Sequence, residues 1–381
     1  MTRTRRIRLG LAVGLAGLAC LAGPLLAQNL PEIVAAIPQG TGPGQIDPTA
    51  PPGFLGIPGS PDINLLLAFA WSVWVGWIFS SVGAFGGVMA AVGHISIFGL
   101  GAYAGSFPKT QLNKSITDSI RVSNQLLALL TGCITSFNYL RQRRIVVPLA
   151  VALGVGSVVG SFLSTSLSAG KVSFAQYQGY FGVFVLLLGA YLFYETTPAG
   201  LARKVKSREA AKSFEETMRK LRCGESVDLA CHGVRVLKFS LDRVVFTFHG
   251  VEFSFRLFLP VLGGLLISAV AAFLGVGGGF MLVPFLTSVT DLPMHLAAGT
   301  SALAVVISMV TSISTFLASG TPIDWALVGA EMAWVCVGSM IGPRTTRFIP
   351  DVWLKRLFIL MSLYVGVDYV LKGFFKIKLL G

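Results

Sequence analysis

The sequence predicts an all-α polytopic membrane protein. It reads as two inverted repeats of about four to five transmembrane segments each, with broken glycine-rich helices and a small soluble α+β insert. Three observations predict this. Of the 381 residues 54% are hydrophobic and 12% charged, with a mean hydropathy of +0.74, which is too apolar for a chain solvated on all sides. Apolar runs close to the ~20 residues that cross the hydrocarbon as a helix recur along the chain. The 30 Lys and Arg are confined to a few places, with none in residues 9–108 and none in 257–343. Forty-four glycines and 18 prolines fit lipid-embedded helices, where neighbouring helices re-satisfy freed backbone groups. Disorder, a collagen repeat and a disulfide scaffold are excluded. The net charge of +13 does not point to nucleic acid, because the cations lie between apolar segments rather than among stacking aromatics on a soluble face.

Residues 1–27 open with Arg3, Arg5, Arg6 and Arg8 before an apolar run, which reads equally as a secretory signal peptide or a first transmembrane helix. Either way residues 28–62 are exported, and their eight prolines and many glycines read as a linker, most simply a spacer. The first membrane repeat, 63–195, has apolar runs at 63–82, 86–103, 116–140, 145–168 and 177–194. A hydrophilic insert at 196–255 follows, richer in Lys and Arg than in Asp and Glu. Residues 205–221 have helix-forming composition, and 234–255 alternate as strands turning at Asp242 and at His249-Gly250. The second repeat, 256–381, has runs at 257–274, 279–290, 295–318, 325–341 and 355–371.

The second run of the later half is only a dozen residues with Pro284 inside it, too short to span, so it should be part of a broken element. Residues 275–281 (GVGGGFM) precede and open it, and residues 83–89 (GAFGGVM) stand at the corresponding place of the first half. Three glycines and the methionine superpose. The basic loops, however, have exchanged places. Arg141, Arg143 and Arg144 lie between the third and fourth runs of the first half, whereas Arg344, Arg347, Lys355 and Arg356 lie between the fourth and fifth of the second. Because cations mark cytoplasmic loops, the halves should insert upside down relative to each other, with an odd number of crossings in each. With the N-terminus inside, only Lys109, Lys114, Arg121, Lys171, Lys372, Lys376 and Lys378 fall outside.

No H-E-x-x-H, G-x-S-x-G or Walker sequence is present, so enzyme chemistry is disfavoured. Cys20, Cys133, Cys223, Cys231 and Cys336 form no metal-ligand doublet, and the grouping of Cys223, Cys231, His232 and His249 fits no zinc pattern. Neither a disulfide nor a metal site is proposed. Paired glycine-rich breaks in inverted halves instead mark a transporter binding site. Glycine lets the chain leave the helix and lets a ligand approach bare backbone, and the next helix start offers unpaired N–H groups suited to a small anion. Gly86, Gly87, Gly277, Gly278 and Gly279 are therefore the candidate site glycines. Polar clusters at equivalent places, Ser123-Asn124-Gln125 and Gly299-Thr300-Ser301, add Asn124, Thr300 and Ser301. Helix capping and close helix packing are the plainer roles for these residues. Ionisable residues within spans are costly, which makes Glu331, Asp368 and His94 candidates for ion or proton coupling.

Residues 275–286 (GVGGGFMLVPFL), then 297–306 (AAGTSALAVV), Asp324-Trp325 and the 338–342 stretch follow one another in an order and spacing that resembles the TauE/SafE family of sulfite exporters and sulfonate permeases. The likeness covers the second half well and the first more loosely, since Phe85 stands where a third glycine belongs and Val92 or a neighbour replaces the proline. The resemblance implies a bacterial inner-membrane carrier of two similar halves that moves sulfite, organosulfonates or related anions without an organic cofactor. By motif it assigns Gly277, Gly278, Gly279, Pro284, Thr300 and Ser301 to the site. The expected function is secondary transport of such an anion, most simply export. Two alternatives stay open: a permease for another small organic or inorganic anion, and a membrane sensor or scaffold with the insert as its output. Expected partners are the anionic substrate, the lipid bilayer, and protein through the insert or a second copy of the chain. Nucleic acid is not among them.

Overall fold

The computed structural model describes residues 30–42, 44–81, 85–141, 145–198, 234–240, 243–248, 251–289, 292, 294–345 and 351–377. The readings of 1–27, of the helical stretch 205–221, and of Cys223, Cys231, His232 and His249 lie outside the described residues. The first half contains α1 (Leu30–Ala35), α2 (Leu65–Ser81) and α3 (Phe85–Val92), which runs on into a π-helical turn at Gly93–Ile97. It continues with α4 (Leu100–Gly105), α5 (Gln111–Arg141), α6 (Val147–Ser168) and α7 (Phe174–Thr196). Strands β1 (Val234–Phe239), β2 (Arg243–Phe248) and β3 (Val251–Arg256) form an antiparallel sheet in chain order. The second half holds α8 (Phe258–Leu274), α9 (Gly279–Val289), α10 (Met294–Ala318), α11 (Trp325–Thr345) and α12 (Asp351–Val370), which ends in a π turn at Leu371–Phe375.

Local sequence explains the boundaries. A capping box, in which the Ser173 hydroxyl accepts from the Gln176 N–H and the Gln176 side chain accepts from the Ser173 N–H, starts α7. Pro148 sits in the first turn of α6. Gly275 closes α8 in the left-handed conformation, at φ 72°. Helices α6 and α7, together with apolar stretches of α10, α11 and α12, are long and apolar enough to cross a membrane. Shorter apolar helices are α2, α8 and the α3 element. Their outward faces carry Val151, Val155, Phe162, Leu187, Leu360 and Leu363 exposed, a surface suited to lipid.

Helix α5 is different. It begins at Gln111, five residues before the apolar run predicted it, and residues 115–129 are all buried despite containing Thr117, Asp118, Ser119, Arg121, Ser123, Asn124 and Gln125. Arg121, read from charge as an outer loop cation, is thus a wholly buried helical residue, because the helix carries its polar face inward against other protein.

The helix pairs that pack most extensively cross between the halves in a reciprocal pattern. The first helix of each half lies on the fourth of the other, α2 on α11 and α8 on α6, while α5 meets α10 and α7 meets α12. Bare backbone makes the approach possible. A Cβ on Gly156 or Gly160 of α6 would overlap the Val261 or Leu265 carbonyl of α8, and one on Gly338 of α11 would overlap the Val73 carbonyl of α2. Van der Waals contact of this kind is the main attraction available between helices in lipid.

The Pro-rich segment folds onto the bundle rather than acting as a bare spacer. Ile37, Ile46, Phe54 and Ile57 are buried in the same core as α3 and α4, and the Leu55 N–H donates to Asp324 at the start of α11, 3.0 Å away. The apolar residues between its prolines anchor it. The sheet likewise buries Val244, Phe246 and Phe255 in a core with Leu286 and Leu296.

Gly156→Ala should lower the stability of the detergent-solubilised protein by about 1–3 kcal/mol, since the added methyl must push α6 and α8 apart. Gly329→Ala on α11, where an added Cβ meets nothing within 4 Å, should leave the melting temperature unchanged or raise it. Thermal unfolding of both variants checks the contrast.

Candidate functional site

The two glycine-rich breaks meet inside the protein. In the second half the chain leaves α8 through Gly275, Gly277 and Gly278, at φ 72°, 85° and 58°, and re-enters a helix at Gly279. Any other L-residue would be strained in these conformations. Gly87 of α3 rests on the Val276 carbonyl, so that a Cβ at Gly87 would overlap it. Gly277 lies over Ala128 of α5, while Gly279 faces Val305 of α10 and Gly278 faces Ala271 of α8. Four of the five candidate glycines therefore surround one place where both halves contribute backbone. Gly86 instead lies under the Phe79 ring and serves packing.

Beside the first break the helix widens into the π turn, and side chains bond carbonyls of the helical turn before it. The Trp71 indole N–H donates to the Met89 carbonyl at 3.1 Å. His94 Nδ1 lies 3.1 Å from the Ala90 carbonyl and 2.7 Å from Asn124 Oδ1, and its Nε2 lies 3.1 Å from Glu331 Oε2. All three side chains are buried. A backbone carbonyl can only accept, so Nδ1 carries a proton. The Nε2 and Oε2 atoms then share one further proton, either as imidazolium and carboxylate or as imidazole and carboxylic acid. This pair joins the first half (α3, with Asn124 on α5) to the second (α11). Three residues singled out separately in the sequence thus form one network.

The remaining candidates fall elsewhere. The Thr300 hydroxyl accepts from the Val146 N–H at 3.2 Å, so it caps the entry to α6, and Ser301 bonds the Ala298 carbonyl of its own helix. Pro284 lies inside α9, where its carbonyl accepts from the Thr287 hydroxyl. Asp368 pairs with Lys372 one turn on, at 2.7 Å. Asn124 sits in the interior of α5 and so cannot be a helix cap, unlike the plainer reading of its cluster.

Sequence reasoning passed over several polar contacts nearby. Ser96 and Tyr369 share a hydrogen bond of 2.7 Å between the halves, and Gln125 Nε2 donates to the Ala272 carbonyl at 3.0 Å. Arg121 pairs with Asp118 at 2.7 Å and donates to Ser168 at 2.8 Å. The available signal was Asp118-x-x-Arg121, an i,i+3 pair within one turn of an otherwise continuous helical pattern. Among the described residues no group of three or more His, Cys, Asp and Glu is placed to hold a metal ion.

The sequence profile of the family described as Sulfite exporter TauE/SafE matches residues 67–369. The chain is also similar to the Probable membrane transporter protein YunE of Bacillus subtilis (strain 168), with 21% identity over 274 residues, covering 70% of this chain and 86% of that protein. No solved structure matches. The match spans both breaks, the His94–Glu331 pair and all of the long apolar helices, and the chain is accordingly a multi-pass membrane protein of the TauE/SafE sulfite exporter family of transporters.

Proposed function

We propose that the chain is a secondary transporter that carries a small sulfur-containing anion, sulfite or an organosulfonate, outward across the bacterial inner membrane. Its two halves insert with opposite orientation, and access to the paired breaks alternates between the two sides. The observation that carries this reading is the meeting of Gly87 with the Val276 carbonyl between Gly275 and Gly277. Bare peptide from both halves lies at one place, where a small oxyanion can be held by N–H groups and released when the halves move apart. Sulfite as the substrate class is supported by the family to which the chain belongs. The reciprocal packing of first on fourth helices is what a two-fold relation between the halves would produce.

The His94–Glu331 pair supplies the coupling. It is buried, it holds one exchangeable proton between Nε2 and Oε2, and it spans the moving halves. Moving that proton changes the charge on both faces of the contact and so biases one arrangement over the other.

Purified protein in liposomes should accumulate or release labelled sulfite along an imposed gradient, and Gly278→Leu, forced into a left-handed conformation with a branched side chain, should lose at least about nine-tenths of that flux. Absence of flux for sulfite and for simple sulfonates in the unaltered protein would refute the substrate assignment. Cysteines placed at 143 and 347 in a cysteine-free background should label from the same, cytoplasmic side; labelling from opposite sides refutes the inverted arrangement. Glu331→Gln, which keeps the shape but not the shared proton, should abolish the response of flux to an imposed pH gradient while sulfite still binds.

A further inference from the structure

A second buried charged pair, Arg121 and Asp118, plays no part in the breaks as described above. Arg121 is fully buried at the middle of the polar stretch of α5. Its guanidinium stacks between two rings, with the carbon 5.2 Å from the Phe273 centroid and 4.7 Å from the Phe316 centroid. Both rings lie within cation–π distance, and polar partners engage its terminal nitrogens. One terminal nitrogen donates to Asp118 Oδ1, the other to Ser168, and Nε has no hydrogen-bond partner.

Asp118 meets the guanidinium through one oxygen only. Its second oxygen accepts from the Gly170 N–H in the turn between α6 and α7. A carboxylate so tethered cannot form the two parallel bonds that make guanidinium–oxyanion pairs strong. Holding a guanidinium and a carboxylate out of water is costly even when paired, and an apolar pair of similar volume generally serves a fold as well or better. A purely structural role therefore explains the burial poorly. Location adds the decisive point: the backbone of Arg121 lies directly against Gly275, where the second break begins.

We propose that Arg121 is an anion-binding residue of this transporter, with Asp118 as a resident counter-ion that a sulfite or sulfonate group displaces. Two of the three oxygens on the anion's sulfur engage the edge of the guanidinium, while Asp118 stays on the Gly170 N–H. No bond is made or broken other than hydrogen bonds. Asp118 keeps the buried cation neutralised between transport cycles and, by competing, sets the affinity low enough for release. The inference rests on the reading of the protein as a sulfur-oxyanion transporter.

The test measures sulfite flux in liposomes against concentration, together with the rise in melting temperature that sulfite produces in detergent. Asp118→Asn removes the competitor and keeps an oxygen for Gly170. It should lower the half-saturating sulfite concentration about tenfold and slow turnover, the gain corresponding to one charge-assisted contact. Arg121→Lys keeps the charge that balances Asp118 but loses the fork, and should raise the half-saturating concentration about tenfold with little change in melting temperature without sulfite. If both variants carry sulfite with unaltered half-saturation, or if Asp118→Asn weakens the sulfite-induced stabilisation, the assignment is overturned and the pair is a structural tie. Should Asp118→Asn not fold, the Arg121→Lys result decides alone. Lack of flux and of thermal stabilisation by sulfite in the unaltered protein would instead refute the transporter reading.

Discussion

A buried helix that is polar along one half governs this architecture. Helix α5 places eight polar or charged residues among residues 115–129, all inside the protein, and in a bilayer no water competes to satisfy them. Each unpaired group would cost about 1–3 kcal/mol. The rest of the molecule meets part of that demand: α3 and its π turn bring His94 to Asn124, the end of α6 and the turn after it bring Ser168 and Gly170 to Arg121 and Asp118, and α8 offers the Ala272 carbonyl to Gln125. Apolar helices such as α6, α7 and α12 form the lipid-facing surface around it and carry little chemistry themselves.

That demand also accounts for the departures from ideal helix near the site. The helix widens to a π turn at Gly93–Ile97, and Trp71 and His94 bond the Met89 and Ala90 carbonyls of the turn before it. In the second half the chain abandons the helix altogether at Gly275, Gly277 and Gly278. Both devices expose backbone polarity where a bilayer would not tolerate it, and both are tolerated because α5 and the other half lie directly on them.

Much of this was legible in the sequence, for identifiable reasons. The apolar runs announced the helices because about 20 residues of hydrocarbon thickness leave a compositional trace, and the short run at Gly279–Val289 announced a break because it cannot span. The glycine motif located the meeting point of the halves. The network of His94, Asn124 and Glu331 was legible only as three separate anomalies, since residues 237 positions apart reveal contact only in three dimensions. Arg121 was misread because charge patterning treats every cation as a loop marker, and the rule has no term for a cation neutralised one turn away within the same helix. The packing of Ile37, Ile46, Phe54 and Ile57 beneath a Pro-rich stretch escaped notice for the opposite reason: turn chemistry dominates the local signal, and isolated apolar residues leave no period to count.

Under the proposed mechanism, the helix contacts carry the effect of a proton on His94–Glu331 to the breaks. Helix α11, which holds Glu331, is bound to α2 through the close approach of Gly76 and Gly338 and by the Ser339 hydroxyl donating to the Gly76 carbonyl. Trp77 of α2 reaches Thr345 of α11, and Trp71 of α2 holds the Met89 carbonyl of α3. Moving α11 relative to α3 therefore stretches His94–Glu331 at one end and loads the α2–α3 contact at the other. Such backbone-to-backbone seats permit sliding in whole steps more readily than gradual deformation, because an overlapping carbonyl leaves no intermediate fit. Under the proposed mechanism, a pair that shares a proton across this joint favours one seat over the next, and the glycine contacts and the His94–Glu331 pair act as parts of one device.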